Sequence, residues 1–462
     1  MQACTTWAIV AATYSTLITA VGLCAQGSGM GSDAVSALVA NAAIVASTCL
    51  STVHLLTDWD HLLHNIPLEH DGVPSLFSPP KHPRIDDLSD PKTKTMTGFN
   101  HRQLTRLYKM FDLEGHLTAA GEDLVPLPTG LVNQRGVPCR FLVHPEEVFL
   151  FTLTKIRTGR TNISIVNEWF GGHYQKWGHA YRFMLLYLDG RYKNIIGHQG
   201  LTRFVSEFPE FNIKIEQYLE KEYIKENRDD SWSRVGGLRF LPFDIFGFLD
   251  DTIDPISQPF SGPRGDYLGA ARKREWEDAQ RAVYTGYKKL HGLKLETLLL
   301  PNGLSTLFGP VSARRSDRGV LAMSGINAFL HRVQDGRFSA AGRPVYYAAL
   351  GDATFALNLA CICSYYRRIG ALQLTPAQNT VNRYLKRARI TVEKSYANVA
   401  NEFHVCDVKR GAKIAKKKPY VVEQLRVCHL LLNCKVCLNG DVTGSTNTFG
   451  VVPPTLENYL RL

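Results

Sequence analysis

Charge is missing at the start of this chain: residues 1–32 contain no Asp, Glu, Lys or Arg. A secretory signal opens with positive charge, and a spanning helix takes about twenty strongly apolar residues. Neither requirement is met cleanly, because the apolar run 7–25 is broken by Thr and Ser, as is the stretch 34–53. Cysteine is sparse too. The 10 cysteines are scattered, which excludes a small disulfide-stapled scaffold. Cys434 and Cys437 form one CxxC with no second pair or HxxxH beside it, only Cys428 and His429. A structural zinc takes about four ligands, so buried thiols are the plainer reading. No internal repeat occurs, and acids are fewer than bases, 42 Asp plus Glu against 53 Lys plus Arg. The resulting net charge of +11 and pI near 9.1 favour a polyanionic partner, nucleic acid first. With 45% hydrophobic and 21% charged residues, wholesale disorder is excluded.

The 462 residues are enough for two or three domains. Residues 1–95 read as an N-terminal extension and linker, the latter marked by Pro67, Pro74, Pro79, Pro80, Pro83 and Pro91. Residues 96–235 read as a helical region. One helix is expected over 100–111, then a Gly/Pro-rich passage at 120–138, then a helix over 148–156 opened by His144-Pro-Glu-Glu. Residues 161–170, Gly171-Gly172 and 173–187 then trace helix, glycine turn, helix, the outline of a helix-turn-helix. Tyr174, Gln175, Lys176 and Arg182 on the second helix suit DNA contacts, although helix pairs that only pack share this outline.

Residues 236–462 turn to strands. A buried strand is expected over 243–249, delivering Asp250 and Asp251 at its end. Runs at 290–300 and 304–308 flank Pro301-Asn-Gly303, a hairpin signature in which Asn-Gly supplies the left-handed turn residues. A second buried strand, 344–350, leads to Gly351-Asp352, and 375–400 has helical periodicity with Val381, Leu385, Ala388, Val392 and Tyr396 on one side. The fold class is therefore mixed α/β. Asp250 after one strand, Asp352 after another and Glu393 inside a helix form a candidate catalytic set, with Arg389 one turn before Glu393. Carboxylates on rigid elements suit divalent cations of the Mg²⁺ or Mn²⁺ kind, two of which can activate a nucleophile and stabilise the leaving oxygen of a phosphodiester. Nothing calls for a small-molecule cofactor.

The residues around these acids carry a resemblance. Gly247-Phe-Leu-Asp-Asp-Thr252, Tyr284-Thr-Gly-Tyr-Lys-Lys-Leu-His-Gly-Leu-Lys294, Pro301-Asn-Gly-Leu304, Gly309-Pro310, Arg314-Arg-Ser-Asp317, Gly351-Asp352, Arg389-Ile-Thr-Val-Glu393 and Leu431-Leu-Asn-Cys434 follow one another. Their order and spacing resemble the PIF/Harbinger-type transposases of the DDE superfamily, over about 236–460 and more loosely from 144. Asp251 stands where the family has glycine, Thr354-Phe355 where Tyr-Pro is common, and Ser316 where histidine is frequent.

The resemblance implies an RNase H-like catalytic domain behind the helix-turn-helix region, with Asp250, Asp352 and Glu393 as metal ligands. Asp317 falls at a recurrent acidic position and is the alternative second acid, an added metal-site acid or a partner of Arg314 or Arg315. The implied reaction is Mg²⁺- or Mn²⁺-dependent cutting of double-stranded DNA at transposon ends, then strand transfer, with two ions in the site. It also implies a separate Myb/SANT-like DNA-binding protein, and a homo-oligomer is left open. Lys288, Lys289, His291 and Lys294, with Lys386, Arg387 and Lys394 around Glu393, are the candidate phosphate contacts, against the plainer reading of a solvated charged face. The basic tract at Lys409-Arg410, Lys413 and Lys416-Lys-Lys418 reads as a nuclear-import signal, a DNA-backbone arm or a solvated loop. A nuclear protein is expected, with a secreted or membrane-associated one as the alternative. The rival function is a domesticated, catalytically inactive DNA-binding protein on the same scaffold.

Overall fold

The computed structural model describes residues 83–113, 125–132, 138–172, 174–228, 232, 243–256, 270–334, 346–352, 355, 361–362, 373–406, 420–440 and 448–461. All lie in the unit Phe77–Leu462. The uncharged stretch 1–32, the apolar stretch 34–53, Thr354 and the basic tract 409–418 fall outside the described residues.

The helical part opens with α1 (Asp90–Thr97) and α2 (His101–Phe111). The linker expected up to 95 thus gives way to a helix: Pro91 sits in its first turn and Gly98 closes it at φ +81°. Burial of Ile85, Leu88 and Met96 ties this segment to the core. Asn100 caps α2 in a reciprocal box with Gln103, which fixes its start where the sequence signals it. The Gly/Pro-rich passage contains an antiparallel pair, β1 (Val125–Val132) and β2 (Pro138–Val143). Pro126 and Pro128 hide β1 from sequence reading, yet a two-stranded ribbon leaves proline an outer side that needs no donor. Next come α3 (Pro145–Thr158), α4 (Asn162–Ile165) with a π-helical turn Val166–Phe170, α5 (Tyr174–Ile196) and α6 (Phe208–Asn227). Gly171 and Gly172, at φ +70° and +76°, make the turn between α4 and α5. A short helix, a glycine turn and a second helix thus follow one another. The second helix is longer than expected and buries Trp177, Tyr181, Met184, Leu185, Leu188 and Tyr192, so much of α5 serves packing.

The sheet part runs β3 (Phe243–Pro255), α7 (Ala270–Val283), β4 (Tyr284–Thr285), β5 (Leu290–Leu299), β6 (Ser305–Ser312), α8 (Asp317–Met323), α9 (Ile326–Val333), β7 (Tyr346–Leu350), β8 (Cys361–Ile362), α10 (Pro376–Glu402), α11 (Val421–Asn439) and α12 (Leu456–Leu460). The strand order is β4-β5-β3-β7-β8, with β6 also paired to β5. β5 runs antiparallel to both β3 and β6, whereas β7 lies parallel to β3 and β8 parallel to β7. The mixed α/β class is thus as expected. Central β3 buries Ile245, Phe246, Phe248 and Leu249, the continuous apolar run of a strand covered on both faces. A side chain at Gly247 would place its Cβ 2.8 Å from the Leu299 carbonyl oxygen, so only glycine fits where the β3–β7 register shifts.

Two local expectations change. β3 does not stop at Leu249. β5 pairs with it from Phe248 opposite Leu299 to Pro255 opposite Gly292, so the ladder carries the strand through both aspartates. In the β5–β6 turn only Gly303, at φ +83°, is left-handed. Asn302 instead accepts a hydrogen bond from the Leu304 amide at 3.1 Å. Asn433 on α11 clamps the hairpin. Its Oδ1 accepts from the Ser305 amide (3.0 Å) and hydroxyl (3.2 Å), and its Nδ2 donates to the Ser305 carbonyl at 2.7 Å.

Candidate active site

β7 stops pairing with β3 at Phe248 opposite Leu350, while β5 continues along the other edge. Asp250 therefore sits just past the end of its parallel neighbour, where the sheet edge opens. Asp352, two residues beyond Leu350, lies at the corresponding place after β7. Glu393 comes from α10, which is capped by Thr375 with Gln378 and buries Val381, Leu385, Ala388 and Val392. That buried row turns Lys386, Ile390, Glu393 and Lys394 to the exposed side. Tyr396, expected on the buried side, is half-buried and donates its hydroxyl to the Asp250 carbonyl oxygen at 2.6 Å.

One cation joins two of these acids. Arg389 reaches Asp250 Oδ2 with Nη1 at 3.4 Å and Glu393 Oε1 with Nη2 at 2.6 Å. Burial first, and the nearby Asp352 and Glu393 after it, push the Asp250 carboxyl up to about 6, against the pull of Arg389 and the Asp251 amide. Asp250 on β3 and Glu393 on α10 are thus joined through Arg389, and Asp352 follows β7, the parallel neighbour of β3. Among the described residues, no group of three or more His, Cys, Asp or Glu is gathered tightly enough to hold a metal ion as the side chains stand. The donor set nonetheless fits a hard divalent cation. It is all carboxylate oxygen, its negative charge exceeds what one guanidinium offsets, and that guanidinium already fills a cation's place between Asp250 and Glu393.

Asp251 points elsewhere, as alternation along a strand requires. Its side chain is 2% exposed and lies 4.0 Å from Lys294 Nζ, and Lys294 also pairs with Asp317. Burial, with Glu296 and Asp317 close by, holds the Asp251 carboxyl well above the usual carboxylate range. Glu296 in turn meets His198 Nε2 at 3.0 Å, and His198 Nδ1 lies 2.9 Å from Thr306 Oγ1. Asp317 pairs with Lys294 and so joins this second cluster with Asp251.

The proposed phosphate contacts separate in the same way. Lys294 is a correction: it is buried and paired with acids, because its β5 position faces the interior. Lys288 and Lys289 are exposed in the β4–β5 turn, and His291 packs against the Tyr284 ring at 5.2 Å. Lys386 and Lys394 are exposed on the Glu393 face of α10, whereas Arg387 is paired with Glu226. Tyr174 and Arg182 are exposed on α5, and Lys176 Nζ lies 5.5 Å from the Trp177 ring centre. Sequence reading missed that Arg389 contacts Asp250 as well as Glu393, and that Tyr396 binds the Asp250 backbone. The four-residue spacing to Glu393 signals only the contact within the helix.

The fold is a mixed α/β domain in which Asp250 lies on β3, Asp352 follows the parallel strand β7 and Glu393 lies on α10. Residues 271–433, roughly a third of the chain, match the family model described as DDE superfamily endonuclease. This segment is thus similar to transposase-like DDE nucleases. It takes in Asp317, Asp352 and Glu393, while Asp250 precedes it. No curated protein matches the chain. No solved structure matches it either.

Proposed function

We propose that the chain is a divalent-metal-dependent DNA endonuclease of the PIF/Harbinger transposase type, built on an RNase H-like domain. The observation that supports this reading is the joining of Asp250 on β3 to Glu393 on α10 through Arg389, with Asp352 following β7, the parallel neighbour of β3. These acids are the proposed ligands of a pair of Mg²⁺ or Mn²⁺ ions. Bound there, the cations supply an activated water or 3′-hydroxyl and stabilise the leaving oxygen. The chain's own residues do the rest. β3 and α10 fix the spacing of the acids, Tyr396 ties those two elements together, and exposed Lys288, Lys289, Lys386 and Lys394 receive duplex phosphates.

Work in the nucleus, a Myb/SANT-like partner and assembly with further copies belong to the same reading and rest on the resemblance. No helix among the described residues is long and apolar enough to cross a membrane. The second reading, a DNA-binding relative that no longer cuts, is favoured by Arg389 spanning Asp250 and Glu393. The experiment is Mg²⁺-dependent cutting of end-labelled duplex DNA by the full chain. Cutting that is lost with EDTA and with Asp250→Asn supports the nuclease, and salt-sensitive binding without cutting supports the second reading.

A further inference from the structure

Arg389 is the residue whose position the nuclease reading does not explain by itself. Its guanidinium reaches both acids that the reading assigns to metal, at 3.4 Å from Asp250 and 2.6 Å from Glu393. Its side chain is 19% exposed and Asp250 is 16% exposed, so the contact to Asp250 is partly withdrawn from solvent screening, while Glu393 is 49% exposed. Guanidinium does not lose its proton in proteins. A divalent ion arriving at these oxygens thus meets a fixed positive charge that it must drive off. Lys386, Ile390 and Lys394 hold the neighbouring exposed positions of α10. The planar donor fork of Arg389 matches the oxygens of a phosphate.

We infer that Arg389 is a resident counter-cation that competes with divalent metal for Asp250 and Glu393 and transfers to a DNA phosphate when metal binds. The inference rests on the nuclease reading and adds regulation to it: the site stays closed to metal until DNA offers the guanidinium another anion. Metal and DNA then favour each other's binding through one side chain, and linkage requires the effect to run both ways.

The test measures Mn²⁺ binding to the full chain by electron paramagnetic resonance, with and without saturating duplex DNA. Arg389→Gln should bind Mn²⁺ roughly fivefold or more tightly than wild type without DNA. DNA should tighten Mn²⁺ binding to wild type by a similar factor and leave Arg389→Gln unchanged. Should the glutamine variant not fold, Arg389→Lys keeps the charge but loses the two-point bridge, and a smaller tightening is expected. Unchanged or weaker Mn²⁺ binding in the folded variants overturns the inference. Asp250→Asn separates the two levels. If it lowers Mn²⁺ affinity while the Arg389 variants do not raise it, the inference fails and the metal site stands. If wild type binds no Mn²⁺, or Asp250→Asn binds it equally, both fail.

Discussion

The hydroxyl of Tyr396 donates to the backbone carbonyl oxygen of Asp250 across 2.6 Å, fastening α10 to β3 beside the candidate acids. Tyr396→Phe removes this bond and keeps the ring. It should lower stability by about 1 kcal/mol in urea unfolding. Tyr396→Ala also empties the ring's volume and should cost about 3 kcal/mol. A phenylalanine variant as stable as wild type would show that the bond does not hold the two elements together.

The lysines of the 284–294 block should part company. Lys288 and Lys289 are exposed, so replacing both by alanine should flatten the salt dependence of DNA binding by nearly one unit of log–log slope for each phosphate no longer neutralised. Lys294 is buried between Asp251 and Asp317. Lys294→Ala should leave that slope alone and destabilise the fold by about 3 kcal/mol, since it removes the buried cation that pairs with Asp317 beside Asp251. Binding titrations at several salt concentrations, with urea midpoints for each variant, check both halves.

The same lysines mark how far the sequence could be read. Central β3, the β5–β6 hairpin and α10 were legible because apolar runs, a Gly-containing turn and a capped helical period are local signals. Asp250, Asp352 and Glu393 were legible as acids on or beside such elements. The direction of Lys294 was not, because a charged residue in a strand reads the same whether it faces water or a buried acid. The continuation of β3 through Asp250 depends on pairing with β5, a partner some forty residues away in sequence, which no local pattern reveals. β1 stayed hidden behind its prolines. Arg389 touches Asp250 only because helix and strand pack together.

Asp254 gives a pH signature. It lines a cavity of about 220 Å³ with Thr252, Tyr396, Cys406 and His429. Burial alone raises its carboxyl to about 7. The folded protein holds this proton more tightly than the unfolded chain, in which aspartate titrates near about 4. Its contribution to stability is therefore complete below about pH 4 and is lost as pH rises toward 7. Asp254→Asn cannot titrate. Melting temperatures measured from about pH 4 to about pH 8 should show the variant gaining on wild type as pH rises, and a constant difference would contradict the assignment.

Asn433 makes a structural prediction at the late Leu-x-Asn motif. Beyond its bonds to Ser305, its Nδ2 donates to the Tyr459 hydroxyl at 2.8 Å, joining the hairpin, α11 and α12. Asn433→Ala leaves several buried groups unsatisfied and should cost about 3 kcal/mol in urea unfolding. Asn433→Asp keeps the acceptor but loses the donor, and should fall between alanine and wild type at neutral pH. An alanine variant with an unchanged urea midpoint would remove this residue from the scaffold.

The most direct measurement compares Asp250→Asn with Asp251→Asn in cutting labelled duplex DNA, each with Mg²⁺ and with Mn²⁺. The two acids are neighbours on β3 but face different surroundings, Asp250 toward Arg389 and Asp251 toward Lys294. Asp250→Asn should abolish cutting and keep DNA binding, while Asp251→Asn should keep both. Cutting that survives Asp250→Asn and disappears with Asp251→Asn would contradict the account and move the site to the other face of the strand.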